Sequence, residues 1–131
     1  MARARIAAEV GEPAVRAALE AAASGTAGDD RDTAALAARF LLQVLSDAAP
    51  GNTLEVRVPP FGAAQVVAGP RHTRGTPPNV VEMDAATWLE LATGSLRWDE
   101  AIARHRVSAS GSRADLTAYL PLAWWAGAGE G

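Results

Sequence analysis

The chain has 131 residues, the size of one ordinary domain, and 49% of them are hydrophobic. Its net charge of −3 argues against a nucleic-acid surface, which usually requires a basic excess. The absence of cysteine excludes disulfides, thiolate metal sites and a cysteine nucleophile, and the absence of lysine excludes Schiff-base and P-loop chemistry.

The first third of the chain is predicted to be helical. In "EPAVRAALEAAASG", apolar residues recur at helical spacing, Pro13 suits the first turn and Gly25 suits the end. In "DTAALAARFLLQVLSDAAPG", Asp32 is the predicted N-cap and Pro50-Gly51 the terminator. The apolar face of this second helix is expected to supply most of the helical core: Ala37, Phe40, Leu41, Val44, Leu45 and Ala48.

The hydrophobic pattern then changes to a period of two residues. "TLEVRV" alternates apolar and charged residues, which predicts a strand with one face in water. "PPFG" predicts a reversal, after which "AAQVVA" returns as the hairpin partner. "NVVEM" is a third predicted strand.

The remaining elements alternate between helix and strand. "DAATWLELATG" is a helix capped by Asp84 and ended by Gly94, and "WDEAIARH" is a shorter helix. We expect the strand "RVSAS" to pair with a strand that is not its neighbour in sequence, because a helical pair intervenes. "SRADLTAYL" is predicted to be a last short helix capped by Ser112, followed by a tail.

These elements predict an α+β fold with a small, mostly antiparallel sheet and helices packed on one face. We expect a single domain, with N-terminal helices at 1–49, the sheet and its helices at 50–122, and a flexible tail at 123–131. No apolar run approaches the roughly 18 residues that span a bilayer. The apolar stretch at the N-terminus is too short, and too soon interrupted by glutamate, for a signal peptide. A cytoplasmic protein is therefore expected.

The stretch "GPRHTRGTPPNVVE" concentrates unusual chemistry. One interpretation is an anion site, in which Arg71 and Arg74 bind a phosphate or carboxylate beside His72. The alternative is a connector whose backbone is restricted by prolines. We favour the connector, because no other motif supplies the second half of an active site.

Other reactive arrangements receive no support from the sequence. His72 and His105 lie on different predicted elements, so we expect neither a metal site nor a cofactor. No serine lies in a nucleophile elbow, and no glycine-rich nucleotide loop follows a strand. The carboxylate pairs Asp29/Asp30 and Asp99/Glu100 adjoin helix starts, where negative charge is stabilising. We therefore expect no catalytic residue and no enzymatic activity.

The tryptophans indicate packing more than chemistry. Trp88 lies on an apolar helix face and is most simply a core residue, whereas Trp98 either closes a turn or lines a cavity. Trp124 and Trp125 are adjacent, so one ring is expected to dock and the other to stay partly exposed. This tail is a candidate contact for a protein partner or for a second copy of the chain.

From Pro50 onward, the chain resembles the sterol carrier protein type two superfamily, and more closely its bacterial single-domain members. The resemblance rests on "PGNTLEVRVPPFGAAQVVAGPRHTRGTPPNVVEMDAATWLELATG" and "WDEAIARHRVSASGSRADLTAYLPL". One departure is His105, at a place where the family often has glycine. Glycine there would form a left-handed turn, so His105 is expected to carry a less favourable backbone conformation.

The resemblance implies about five strands with helices over one face, enclosing an apolar tunnel for sterols, fatty acids or acyl-CoA. The corresponding wall candidates, together with Trp98, are Trp88, Leu89, Leu116, Leu120 and Trp124. If Arg71, His72 and Arg74 face the tunnel mouth, they would hold the head group of the ligand. The predicted function is non-enzymatic binding of a lipid-like ligand. Two alternatives remain: an accessory domain of a thiol-dependent isomerase-type enzyme, and a small anion-processing enzyme that uses Arg71, His72 and Arg74.

Overall fold

A computed structural model describes residues 4–69 and 79–125 of the chain. Within these residues it contains helices, strands and one 3-10 turn in the α+β order expected from the sequence. The elements are α1 (Ala8–Ala23), α2 (Arg31–Ala48), β1 (Leu54–Val58), β2 (Gly62–Val66), β3 (Val80–Met83), α3 (Ala85–Thr93), α4 (Trp98–Ala103), β4 (Val107–Ser110) and the 3-10 turn (Thr117–Tyr119).

The strands form one mixed sheet in the order β2-β1-β3-β4. The β1–β2 and β3–β4 pairs are antiparallel, and the central β1–β3 pair is parallel. The sheet is therefore mostly antiparallel, as predicted. The expected position of β4 was wrong, because β4 pairs with β3, the strand that precedes it. The α3–α4 segment returns the chain antiparallel to β3, and the crossover in sequence occurs instead between β1 and β3.

One face of the sheet and one side of the helices share the core. Leu54, Val56 and Val58 of β1 are buried, while Glu55 and Arg57 on the opposite face are partly exposed. This alternation confirms the period of two in "TLEVRV". Most of the predicted core face of α2 is buried, but Ala48 is exposed and Ala49 is buried in its place.

Helix α1 begins earlier than its sequence pattern predicts. Pro13 lies inside the helix and not in its first turn, so the prediction for Pro13 was wrong. Contacts with α2 explain the early start, because Gln43 exchanges two hydrogen bonds of 2.9 Å with the backbone of Ile6. Arg5 also makes a bidentate contact with Asp47, at 2.7 and 3.1 Å. Tertiary contacts thus outweigh the unfavourable proline.

Two other boundaries also differ from the sequence expectation. The N-cap of α2 is Asp30 and not Asp32, since the Asp30 side chain accepts from the Thr33 N–H. Strand β2 ends at Val66, because Val67 adopts a left-handed backbone with φ of 69° and donates its N–H to Ala49.

The second half of the fold follows the sequence more closely. Asp84 caps α3 by accepting from the Thr87 N–H at 2.8 Å, and Gly94 ends the helix at φ of 95°.

The predicted helix in "SRADLTAYL" was wrong, because only a 3-10 turn forms there. Ser112 does not cap it; Asp115 instead accepts the N–H of Thr117.

His105 carries the backbone conformation that its departure from the family pattern predicts. Its φ is 56°, in the left-handed region, and its side chain is exposed. The turn is closed by hydrogen bonds from the His105 N–H to Ile102 and from the Arg106 N–H to Ala101. A left-handed residue other than glycine carries a conformational cost.

Substitutions at His105 are expected to report this cost directly. His105→Val should lower the free energy of unfolding by about 1–2 kcal/mol, because β-branched residues are strongly disfavoured at positive φ. His105→Asn should leave it nearly unchanged, because asparagine tolerates this conformation. Urea denaturation of both variants tests the expectation, and equal stabilities would contradict it.

Candidate ligand-binding pocket

A cavity of about 570 Å³ lies among α1, α2, α3 and the turn of the β1–β2 hairpin. This volume falls within the range of roughly 300–1,000 Å³ that is usual for small-molecule pockets. The cavity opens beside the loop that joins α1 to α2, where Thr26, Asp29 and Asp30 form part of its rim. It therefore has an apolar interior and a polar mouth.

Alanine methyl groups form much of the cavity wall. Ala18 and Ala21 face it from α1, Ala34 and Ala37 from α2, and Ala85 from the start of α3. A methyl group fills little volume, so the three helices enclose space that larger side chains would occupy. The space thus follows from the residue types on these helix faces.

Trp88 supplies the largest side chain of the wall. Its ring is fully buried and lines the cavity, next to the half-buried Leu89. The indole Nε1 donates a hydrogen bond of 3.1 Å to the carbonyl oxygen of Ala38, which ties α3 to α2. Trp88 is therefore both part of the wall and part of the core.

The carboxylate of Asp30 at the mouth is fully engaged by its own helix. Its Oδ2 accepts from the Thr33 hydroxyl at 2.7 Å, and its Oδ1 accepts from the Thr33 N–H at 3.0 Å. These bonds, with the hydroxyl contributing most, lower the pKa of Asp30 below its usual value. Asp30 is thus a helix cap in its charged form, and each of its oxygens accepts a hydrogen bond from Thr33.

Two arginines of α2 contact Phe61, which projects from the hairpin turn into the cavity lining. The Arg31 guanidinium lies 5.3 Å from the centre of the Phe61 ring, within the range of a cation–π contact. The Arg39 Nε donates a hydrogen bond of 2.8 Å to the Phe61 carbonyl oxygen. Arg31 and Phe61 line the cavity, and Arg39 holds the backbone of Phe61 in place.

The six predicted wall residues are divided among separate places. Trp88 and Leu89 line the large cavity, whereas Trp98 and Leu120 line a smaller one of about 270 Å³ near the C-terminal segment. Leu116 is fully buried in the core. Trp124 is buried, and the Arg16 guanidinium lies 5.6 Å from the centre of its ring. The structure therefore brings only Trp88 and Leu89 to the large cavity.

Two sequence hypotheses remain, one on Arg71, His72 and Arg74 and one on the C-terminal tryptophans. Arg71, His72 and Arg74 lie outside the described residues. Trp124 is docked while Trp125 is 42% exposed, which confirms the expectation of one buried and one partly exposed ring. The protein partner or second copy suggested for this tail stays a prediction.

A clustered metal site and a membrane-spanning helix are both absent from residues 4–69 and 79–125. No group of three or more His, Cys, Asp or Glu side chains lies close enough there to hold a metal ion. In the same part of the chain, no helix has both the length and the apolarity needed to cross a bilayer.

A family model described as "Bacterial SCP ortholog" matches residues 30–122 of the chain. The chain belongs to this bacterial sterol-carrier-like family. The α+β architecture with its mixed open sheet agrees with a sterol-carrier-like fold. A search of curated proteins found no match.

The matched region of the sterol-carrier-like family includes α2, although the resemblance carried by the quoted sequence begins only at Pro50. Helix α1 precedes the matched region, yet Ala18 and Ala21 of this helix close one side of the cavity. This wall, like Arg31 and Phe61, was not predicted from the sequence. No local motif marks them, because an alanine on a buried helix face has the same pattern whether it faces a core or a cavity.

Proposed function

We propose that this sterol-carrier-like protein binds a small lipid-like ligand in the cavity among α1, α2 and α3, and that it does so without catalysis. The observation that carries the proposal is the cavity itself, with about 570 Å³ of space behind an apolar wall and a polar mouth. Such a combination suits a ligand with an apolar body and a polar end. Membership of the family supports the same class of ligand, namely sterols, fatty acids or acyl-CoA.

The chemistry of the wall favours binding over reaction. Its main contributors are alanine methyl groups, Leu89 and the ring of Trp88, none of which transfers protons. The Asp30 carboxylate is committed to capping α2 through Thr33, so it is poorly placed to act as a base. Burial of an apolar ligand surface supplies the binding free energy in this proposal.

Binding should depend on the free volume of the cavity. Ala34→Phe places a ring in the cavity from α2, and we expect it to weaken binding of N-phenylnaphthylamine, an uncharged fluorescent probe, by at least about tenfold. Ala22→Phe is the matched control, because Ala22 is exposed on α1 and does not line the cavity. Fluorescence titration of the wild type and both variants measures the effect.

Native mass spectrometry of the purified protein complements this titration by identifying lipids that co-purify with it. The proposal expects a bound single-chain lipid or sterol in the wild type and less of it in Ala34→Phe. A homogeneous mass without ligand, together with no uptake of the probe by the wild type, would contradict the proposal. If Ala34→Phe and Ala22→Phe weaken binding of the probe equally, the binding site is not in this cavity.

A further inference from the structure

We propose that Arg31, which lies over the ring of Phe61, is the residue that anchors the head group of the ligand, and that it selects a single-chain amphiphile with a carboxylate end over an uncharged one. The inference rests on the proposed function, since it assigns a polar subsite to the same cavity. Both residues line the cavity, and they lie where its apolar interior meets the solvent-exposed start of α2.

The first support is that the charge of Arg31 is not already neutralised. Among the described arginines, all except Arg31, Arg39 and Arg113 form an ion pair with a carboxylate. Within residues 4–69 and 79–125, Arg31 instead contacts the face of an aromatic ring. A guanidinium that lies over a ring face and has no carboxylate partner still has N–H donors with which to bind a carboxylate.

The second support is that helix stability does not explain a cation at this position. Arg31 is the first residue of α2, where the helix dipole favours negative charge, and the acidic Asp30 and Asp32 beside it follow that rule. A residue that opposes a local rule is expected mainly at functional sites. What this position gives Arg31 is its contact with Phe61 at the cavity mouth.

The third support is that two hydrogen bonds hold the backbone of Phe61. Arg39 donates to the Phe61 carbonyl oxygen, and Phe61 donates its own N–H to the carbonyl oxygen of Val58 at 2.9 Å. Arg39 thus helps to hold the backbone from which the Phe61 ring projects toward Arg31. A fixed platform reduces the conformational freedom that the Arg31 side chain loses when a ligand binds.

The charges around the mouth also bear on the kind of head group. Asp29 and Asp30 line the cavity together with Arg31, so the local field limits the total negative charge that a ligand can bring. A monoanionic carboxylate meets Arg31 with less repulsion from these two side chains than a phosphate dianion would. A fatty acid therefore fits this mouth better than an alkyl phosphate.

The test compares two ligands that differ only in the head group. Lauric acid and lauryl alcohol each displace N-phenylnaphthylamine from the wild type, from Arg31→Met and from Arg104→Met. Methionine keeps an apolar cover over Phe61 and removes the charge. Arg104 is an exposed arginine of the α4 end, away from the cavity lining, so it controls for a general loss of positive charge.

We expect Arg31→Met to weaken the binding of lauric acid about fivefold, a loss typical of one solvent-exposed charge pair. The affinity for lauryl alcohol should change by less than about twofold. Added salt should weaken the binding of lauric acid to the wild type and to Arg104→Met, which both keep Arg31, but not to Arg31→Met, since screening acts on the charge pair. Arg104→Met should change the affinity for neither ligand. Dodecyl phosphate should bind more weakly than lauric acid, and inorganic phosphate alone should displace no probe.

Several outcomes would overturn the inference. If Arg31→Met weakens the binding of lauric acid and lauryl alcohol equally, or weakens neither, Arg31 is not the head-group anchor, although the cavity still binds the ligands. If dodecyl phosphate or inorganic phosphate competes better than lauric acid, the mouth is not selective for a carboxylate. If the wild type binds neither the probe nor the two lauryl ligands, the proposed function itself fails.

Discussion

Replacing Gly11 with alanine is expected to destabilise the protein by about 2 kcal/mol, although the same change stabilises most helix interiors by roughly 0.5–1 kcal/mol. Gly11 is buried inside α1, and an added Cβ would overlap the ring of Phe40 on α2. Phe40 is only 4% exposed, so its ring has little room to move. The steric conflict should therefore exceed the gain in helix propensity.

Chemical denaturation of Gly11→Ala, Phe40→Leu and the double variant measures this conflict. Phe40→Leu alone should be destabilising, because it leaves space in the core. In the double variant the new methyl group occupies part of that space, so the combined effect should be smaller than the sum of the two single effects. If Gly11→Ala is neutral or stabilising, α1 does not approach α2 as closely as described.

Elements whose signal is local could be predicted from the sequence. The alternation in "TLEVRV" identified β1, and the Asp84 and Gly94 signals identified both ends of α3. The left-handed turn at His105 followed from one departure from the family pattern. In each case, the residues that determine the conformation lie within a few positions of one another.

Features that depend on distant contacts could not be predicted in the same way. The start of α1 is set by Gln43 and Asp47, which lie on α2 far along the chain. Pairing of β4 with β3, and not with another strand, depends on how α3 and α4 return the chain. The cavity escaped prediction for a related reason, because its alanines are spread over three helices and no pattern within one helix distinguishes them from core alanines.

Removing the ring of Trp88 should give the largest loss of stability at the site, because the residue serves the core and the cavity together. Trp88→Ala is expected to lower the free energy of unfolding by about 4 kcal/mol, through lost burial and an enlarged void. Its indole is fully buried and bonded to Ala38. Leu89→Ala should cost only about 1 kcal/mol, since Leu89 lines the same cavity but is half-buried.

Trp88→Phe separates the structural role of the residue from its role in binding. Phenylalanine keeps an aromatic wall but loses the hydrogen bond to Ala38, so we expect a loss of roughly 1–2 kcal/mol in stability. The affinity for N-phenylnaphthylamine should change by less than about threefold, because an apolar probe needs the wall and not the indole N–H. Urea denaturation and probe titration measure the two quantities independently. A large loss of affinity with unchanged stability would contradict this expectation, and would show that the ligand needs the indole itself and not only an aromatic wall.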